Sequence, residues 1–418
     1  MGVKDTANLA LIPAAYKASK VYSAIPTDGD GDFTFTRTGN GTRINKAGLI
    51  ETVGSNVPRL NYRLDADGNP SSCPELLLEP ERTNQILYSK DFTNSAWQKL
   101  GGGTGTAPVV TADYTTAPDG TQTADRVIMD MGSGTTGDNY SIIRNFGTSG
   151  STGTNSIYMK SNTTDSYTIG IDNVGTVETV TVTPQWQRFS YSVTNSDRLQ
   201  ISLRGTGNST SRYADVSLWG GSLENGDYVT SFIPTTTFAV TRNIDECFIS
   251  FSGVVTDYPF TLMSTMEILK TGQRGYAFSF LNEFSNSRFY SAGYNVDGGG
   301  NFFRFDNAKY SNNYNQKTTA TYEAGIYKVA VKFVSDTNFI GYINGLEVVN
   351  KVHPSSTFDT GVNDILVGQL RRLSDTTDRN PIKEFYLWTK ALTDAEMVEI
   401  TSYTSFTEMA TQQQFTIQ

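Results

Sequence analysis

Histidine is nearly absent from this sequence: one of its 418 residues, His353, is a histidine. A zinc site built on two histidines is thereby excluded, and any Ser-His-Asp machinery would have to run through that residue. Two cysteines, Cys73 and Cys247, are too few for a four-cysteine metal cluster or a dense disulfide framework. Basic residues are in deficit: 33 Lys and Arg against 42 Asp and Glu leave a net charge of −9. That argues against a nucleic-acid partner, which needs clustered cations to displace counterions from phosphates. No stretch approaches the roughly 18 apolar residues of a membrane span. The first 22 residues carry only a short apolar patch, 9–15, cut by Pro13, which does not read as a secretory signal. The expectation is a soluble chain made in a cytoplasm.

What is present is the stuff of strands and turns. Charged residues are 18%, aromatics 12%, there are 38 glycines, and Thr, Ser and Asn abound. This composition predicts an all-β protein. Four stretches can be told apart. Residues 1–85 form an N-terminal hairpin and docking segment, with Phe33-Thr-Phe-Thr-Arg37 and Thr42-Arg-Ile44 predicted to form a hairpin across Asn40-Gly41. Residues 86–237 carry short β runs at sandwich spacing: 156–160, 167–171, 177–182, 187–193 and 199–203. Residues 238–400 add runs at 259–267, 276–280 and 327–333. A second predicted hairpin joins 338–343 to 346–349 across Asn344-Gly345. Near the end Thr393 can cap a helix, Glu396 completes a capping box, and Met397 and Ile400 supply an apolar stripe. Residues 401–418 read as a tail.

Several blocks resemble a pattern common in tailed-bacteriophage structural proteins. They are Pro58-Arg-Leu-Asn-Tyr62, residues 73–84, Tyr88-Ser-Lys-Asp-Phe92, residues 223–237 and Ala239-Val-Thr-Arg-Asn243. In that family the blocks bracket a carbohydrate-binding-like jelly roll. The stretch 238–400 is similar to a concanavalin A-like, laminin-G-like sandwich, on residues 329–349 and 384–396. The resemblance implies a virion surface protein: a head fibre, a tail fibre or a decoration protein that adheres to host-surface glycans or a receptor. The partners it implies are other virion proteins in the capsid or tail, and further copies of the chain, although no heptad run marks a coiled coil. A purely structural docking protein is one alternative and a polysaccharide depolymerase another.

Enzymes of the concanavalin A-like fold place catalytic acids on alternate residues of one strand, where they share a face. No Glu-x-Asp-x-Glu pattern occurs here, and Asp394, Glu396 and Glu399 fall on the predicted helix. The chain is therefore expected not to be an enzyme; acids converging from different strands are the remaining route to one. His353 reads as a loop histidine without a catalytic role. Two loops, Asp28-Gly-Asp-Gly-Asp32 and Asp65-Ala-Asp-Gly-Asn69, start like calcium loops, but Phe33 and Pro70 stand where an EF-hand needs glycine. Ordinary turns are expected there, with calcium left open at loop edges holding Asp297, Asp306, Asp364, Asp375 or Asp378; no other cofactor is implied. For glycan binding the candidates are Tyr290, Tyr294, Phe302, Phe303, Tyr310 and Tyr314, interleaved with Asn, Asp and Gly between 282 and 316. The competing reading places half of them in the core. Trp97, Trp186, Trp219 and Trp388 read as core. Cys73 and Cys247 flank the second stretch. Were it an insertion, they could meet in a disulfide; two buried free thiols are the other expectation.

Overall fold

The computed structural model describes residues 2–147, 152–173, 176–205, 211–250, 254–282, 287–294, 300–309, 312–355, 358, 364–369 and 379–403. Tyr310, Asp297, Asp375, Asp378 and the tail beyond Tyr403 lie outside them. Strands make up 54% and helix 3% of the structure, so the chain is all-β, as its composition predicts.

The largest sheet runs in the order Asn312–Lys317, Phe303–Lys309, Ser287–Tyr294, Gly275–Asn282, Asp364–Val367, Glu246–Ser250, Phe33–Thr36, Lys20–Ile25, Leu9–Lys17, Ile382–Trp388, Phe260–Ile268, Gly325–Ser335, Asn338–Ile343, Leu346–Val352. Its two ends approach one another, so it curls around one apolar core as a nearly closed sandwich. The three strands between residues 9 and 36 sit in the middle of this order. They join the two layers, and are built into the C-terminal sandwich rather than standing apart from it. Period-two alternation decides which side chains fill the core. Tyr327, Val329, Val331 and Phe333 point inward. On the other face Ala330 meets Met397 and Ile400 of the helix Asp394–Thr401. Thr393 caps that helix through its predicted box with Glu396. Lys328 donates to Ser402 O at 3.0 Å at its C-terminal end, and Lys332 donates to Leu392 O at 3.1 Å and to Asp394 at the other.

The Asn344-Gly345 hairpin is present: Ile343 pairs with Leu346 and both turn residues have positive φ, 48° and 83°. The Asn40-Gly41 hairpin is not. Phe33–Thr36 pairs within the large sheet, while Gly41–Ile44 pairs with Ile50–Val53 in a separate two-stranded ribbon. Arg37, 1% exposed, drives the strands apart. Its guanidinium is drawn inward to Asp245 and to the carbonyls of Val53 and Gly54.

The second unit is a jelly-roll-like sandwich inserted into the first. One sheet contains Thr106–Thr115, Ala124–Asp130, Tyr213–Asn225, Thr152–Ser161 and Gln187–Thr194. The other contains Thr176–Val182, Tyr167–Asn173, Arg198–Arg204, Tyr140–Phe146 and Gln98–Gly102. Val127, Met129, Ile157, Met159, Ile169, Ile201 and Leu218 are among the residues packed between them. The chain leaves the large sandwich along Arg82–Asn84 and returns along Val240–Arg242. These two strands pair with each other, Thr83 opposite Thr241, and form the neck of the insertion. The 41–53 ribbon lies over the outer face of the inserted sandwich, where Ile50 packs with Ala117, Ala124, Trp219 and Phe232.

Candidate functional site

Among the described residues, the aromatic candidates between 282 and 316 do not form an exposed platform. Tyr290 and Tyr294 are 2% and 0% exposed. The Tyr290 ring stands edge-on to Phe260 and Phe333 at 5.1 and 5.0 Å. The Tyr294 hydroxyl donates to Tyr322 O at 2.8 Å. Phe303 is fully buried and Phe302 half-buried. Tyr314 is half-buried, stacked on His353 at 4.4 Å. The reason is again strand periodicity: 290, 292, 294, 303 and 305 all face the core, and the intervening Gly, Ser and Asn make core strands look like a polar surface.

The remaining sequence candidates are structural in their surroundings. His353 is 6% exposed. With Nδ1 donating to Pro354 O at 2.8 Å, Nε2 is left to accept from Asn307 Nδ2 at 3.3 Å. Asp28 accepts from the Asp30 N–H, Asp32 from that of Ser23, and Asp65 from those of Asp67 and Asn69, so these carboxylates close their own turns. Asp306 is buried against Arg304 at 3.0 Å, and Asp364 is buried. Among the described residues no group of three His, Cys, Asp or Glu could hold a metal ion. Both cysteines are free, which corrects the disulfide expectation. Cys73 lies in an exposed loop, whereas Cys247 sits in the large core opposite Phe35, where burial pushes its thiol pKa up.

The phage-like blocks converge on one place, the base of the neck. Arg59, from the first block, is fully buried and bonds to Glu79 at 2.6 Å and to Asp245. Glu79, from the second, also accepts from the Ser231 N–H and hydroxyl, each at 2.7 Å, and lies 3.0 Å from Arg242. Arg37 reaches Asp245 at 3.2 Å. Burial alone would raise the Glu79 carboxyl, but Arg242 and Arg59 outweigh it and hold the group at about 2. Asn84 spends its whole amide here. It donates to Gly221 O and Ile233 O and accepts from the N–H groups of Ile86 and Leu223. The motif is thus a buried ionic joint that clamps the inserted sandwich to the other.

A different surface has the chemistry of a binding site. On the outer face of the sheet containing Ala124–Asp130, beyond the area covered by the 41–53 ribbon, lie the exposed Tyr114 and Tyr213, 44% and 46% exposed. Between them Arg126 grips Asp215 through both Nε, at 2.8 Å, and Nη2. Its guanidinium stands 5.0 Å from the Tyr114 ring centroid. The hydrogen bond from Arg126 holds the Asp215 carboxyl below its usual range, against the opposing effect of burial, and the Asn162 amide adds to this at 2.9 Å. Asn162 in turn accepts from Ser217 Oγ at 2.7 Å. One strand over, the Lys160 ammonium lies 5.4 Å from the half-buried Trp186 ring and 3.4 Å from Thr115 Oγ1. Trp186 corrects the expectation that all four tryptophans are core; Trp97, Trp219 and Trp388 are 1%, 1% and 0% exposed.

No family model matches the chain, and no curated protein matches it. Among solved structures it is similar to the carbohydrate-binding module CBM40 of the Ruminococcus gnavus IT-sialidase, at 14% identity and a TM-score of 0.31, over 35% of this chain and 84% of that one. It is similar to the NanB sialidase of Streptococcus pneumoniae at 18% identity and 0.32, over 37% of this chain and 26% of that one. To the binding domain of Paraclostridial Mosquitocidal Protein 1 it is similar at 9% identity and 0.27, over 37% and 42%.

Sequence reasoning missed the outer face because its residues come from five separate runs, around 114, 126, 160–162, 186 and 213–217. A usable signal was there in the alternation Tyr213-Ala-Asp-Val-Ser217, with apolar residues on one face and Tyr, Asp and Ser on the other.

Proposed function

We propose that the chain is a non-catalytic bacteriophage virion protein, placed on the particle surface as a fibre or decoration, whose inserted sandwich binds host glycans through its outer face. The observation that carries the binding reading is the pair of exposed tyrosines flanking the Arg126–Asp215 ion pair. Aromatic faces suit the apolar side of a pyranose, and a guanidinium and an amide held in place by the buried Asp215 suit its hydroxyls. Shallow sites of this kind are weak singly and gain from many copies on a particle. The virion reading is supported by the phage-like blocks, whose residues build the joint that would hold such a binding head at a set angle. Phe238, 78% exposed beside the neck, favours a second reading in which the head docks another virion protein instead.

The test is binding of the purified full chain to host cells with and without periodate oxidation of surface sugars, repeated with Tyr213→Ala. Periodate-sensitive binding that weakens about tenfold or more in the variant is expected. Binding that survives both treatments would transfer the case to protein docking. Recovery of the chain in purified phage particles tests its location, and its absence from them would refute the virion assignment.

A further inference from the structure

We infer that the ligand of this face is an anionic saccharide whose carboxylate seats on Lys160, an inference that rests on the glycan-binding reading above. Lys160 and Arg126 pair on opposite sides of Ser217 in adjacent strands. Their Cα atoms therefore stand about 10 Å apart, two strand spacings. Between them is the small, fully buried Ser217, its hydroxyl donating to Asn162. The two cations thus stand on either side of one short, covered position. The two cations differ in one respect. Arg126 is neutralised by Asp215. Lys160 has no carboxylate partner among the described residues, and burial lowers its pKa.

A partly desolvated cation without a counter-charge is unfavourable in the free protein, and a bound anion removes that cost. Trp186 defines what kind of anion. Its Nε1 donates to Thr116 O at 3.1 Å, which fixes the ring beside the ammonium. A ligand that satisfies both must carry a flat apolar face next to a negative group. A uronic acid does so, since its ring C–H face and its carboxylate are adjacent. Asp215 is buried and holds Arg126 and the Asn162 amide in position, which leaves the half-buried Asn162 for the ring hydroxyls and the exposed Tyr213 for a neighbouring sugar.

The decisive experiment measures the full-length chain on a set of uronate-bearing oligosaccharides, each beside its carboxyl-reduced counterpart. The expected result is a preference of about tenfold or more for the acidic form, falling with added salt. In Lys160→Met, which keeps the apolar stem, that preference collapses to near one. In Tyr213→Ala both forms weaken together. Equal binding of acidic and reduced forms, or a preference that persists in Lys160→Met, overturns this inference and leaves glycan binding intact. Binding of no saccharide by a folded chain overturns both readings.

Discussion

The two sandwiches carry the same chemistry on their outer faces and put it to opposite ends. On the C-terminal sandwich Lys332 lies 5.8 Å from the Tyr342 ring, as Lys160 lies 5.4 Å from that of Trp186. The helix Asp394–Thr401 covers the first pair, and its Asp394 carboxylate and the preceding Leu392 carbonyl saturate the ammonium. The second pair is half-buried, with Trp186 against the cluster that holds Ile50 of the ribbon, and its ammonium meets one threonine hydroxyl and no carboxylate among the described residues. A lysine beside an aromatic ring is thus a packing joint where a later segment brings it a counter-charge. Where none does, the ammonium keeps its charge unpaired.

The largest effect expected from this contrast lies at neither face but at the joint that keeps the sandwiches together. Asp245→Ala strands Arg37 and Arg59 without their shared carboxylate in a site closed to water, and should cost about 3–5 kcal/mol in urea unfolding. Both sandwiches should lose stability together; destabilisation confined to one would show the joint to be dispensable to the other.

Next in size is an acid limb. Glu79 has its folded pKa at about 2, below the ordinary 4.5. Its ionised form therefore stabilises the fold fully above pH 4.5, and that contribution drains away as pH falls toward 2. The stability gap between the unaltered chain and Glu79→Gln should be about 3 kcal/mol at neutral pH and close to zero near pH 2. A gap independent of pH would show that the charge is not what Glu79 contributes.

The smallest effect sharpens the comparison itself. Lys332→Met removes an ammonium bonded to Asp394 and Leu392 O, and should destabilise by about 1–2 kcal/mol. Lys160→Met breaks no ion pair and should change stability by less than about 0.5 kcal/mol, its effect falling on binding instead. Thermal melts of the two variants side by side give the answer, and equal losses would erase the distinction between covered and open faces.

Much of the architecture was legible in the sequence. The alternation of 327–333, the Asn344-Gly345 turn and the Thr393 capping box each rest on neighbours within a few residues, so local pattern was enough. The Asn40-Gly41 turn failed because its outcome was decided at a distance. Arg37 finds Asp245 across 208 positions of sequence, and that contact outweighs a local hairpin preference. The aromatic residues failed for a related reason. Tyr290 sits in a strand with small polar neighbours, and nothing within five residues of it says which face will be covered, whereas the alternation at 213–217 does separate the two faces.

The sequence by itself determined that this protein is all-β, where a number of its strands lie, and where its described α-helix begins. Those properties follow from period, turn chemistry and capping, which act over short spans. Tertiary structure alone decided that the phage-like blocks are a buried ionic joint, that residues 9–36 close the C-terminal sandwich, and that Tyr114 and Tyr213 are left exposed. Burial and charge pairing depend on which distant segment arrives to cover a surface, and in this chain the helix Asp394–Thr401 covers the outer face of one sandwich, while on the other the 41–53 ribbon packs on Trp219 and Phe232 and leaves Tyr114 and Tyr213 exposed.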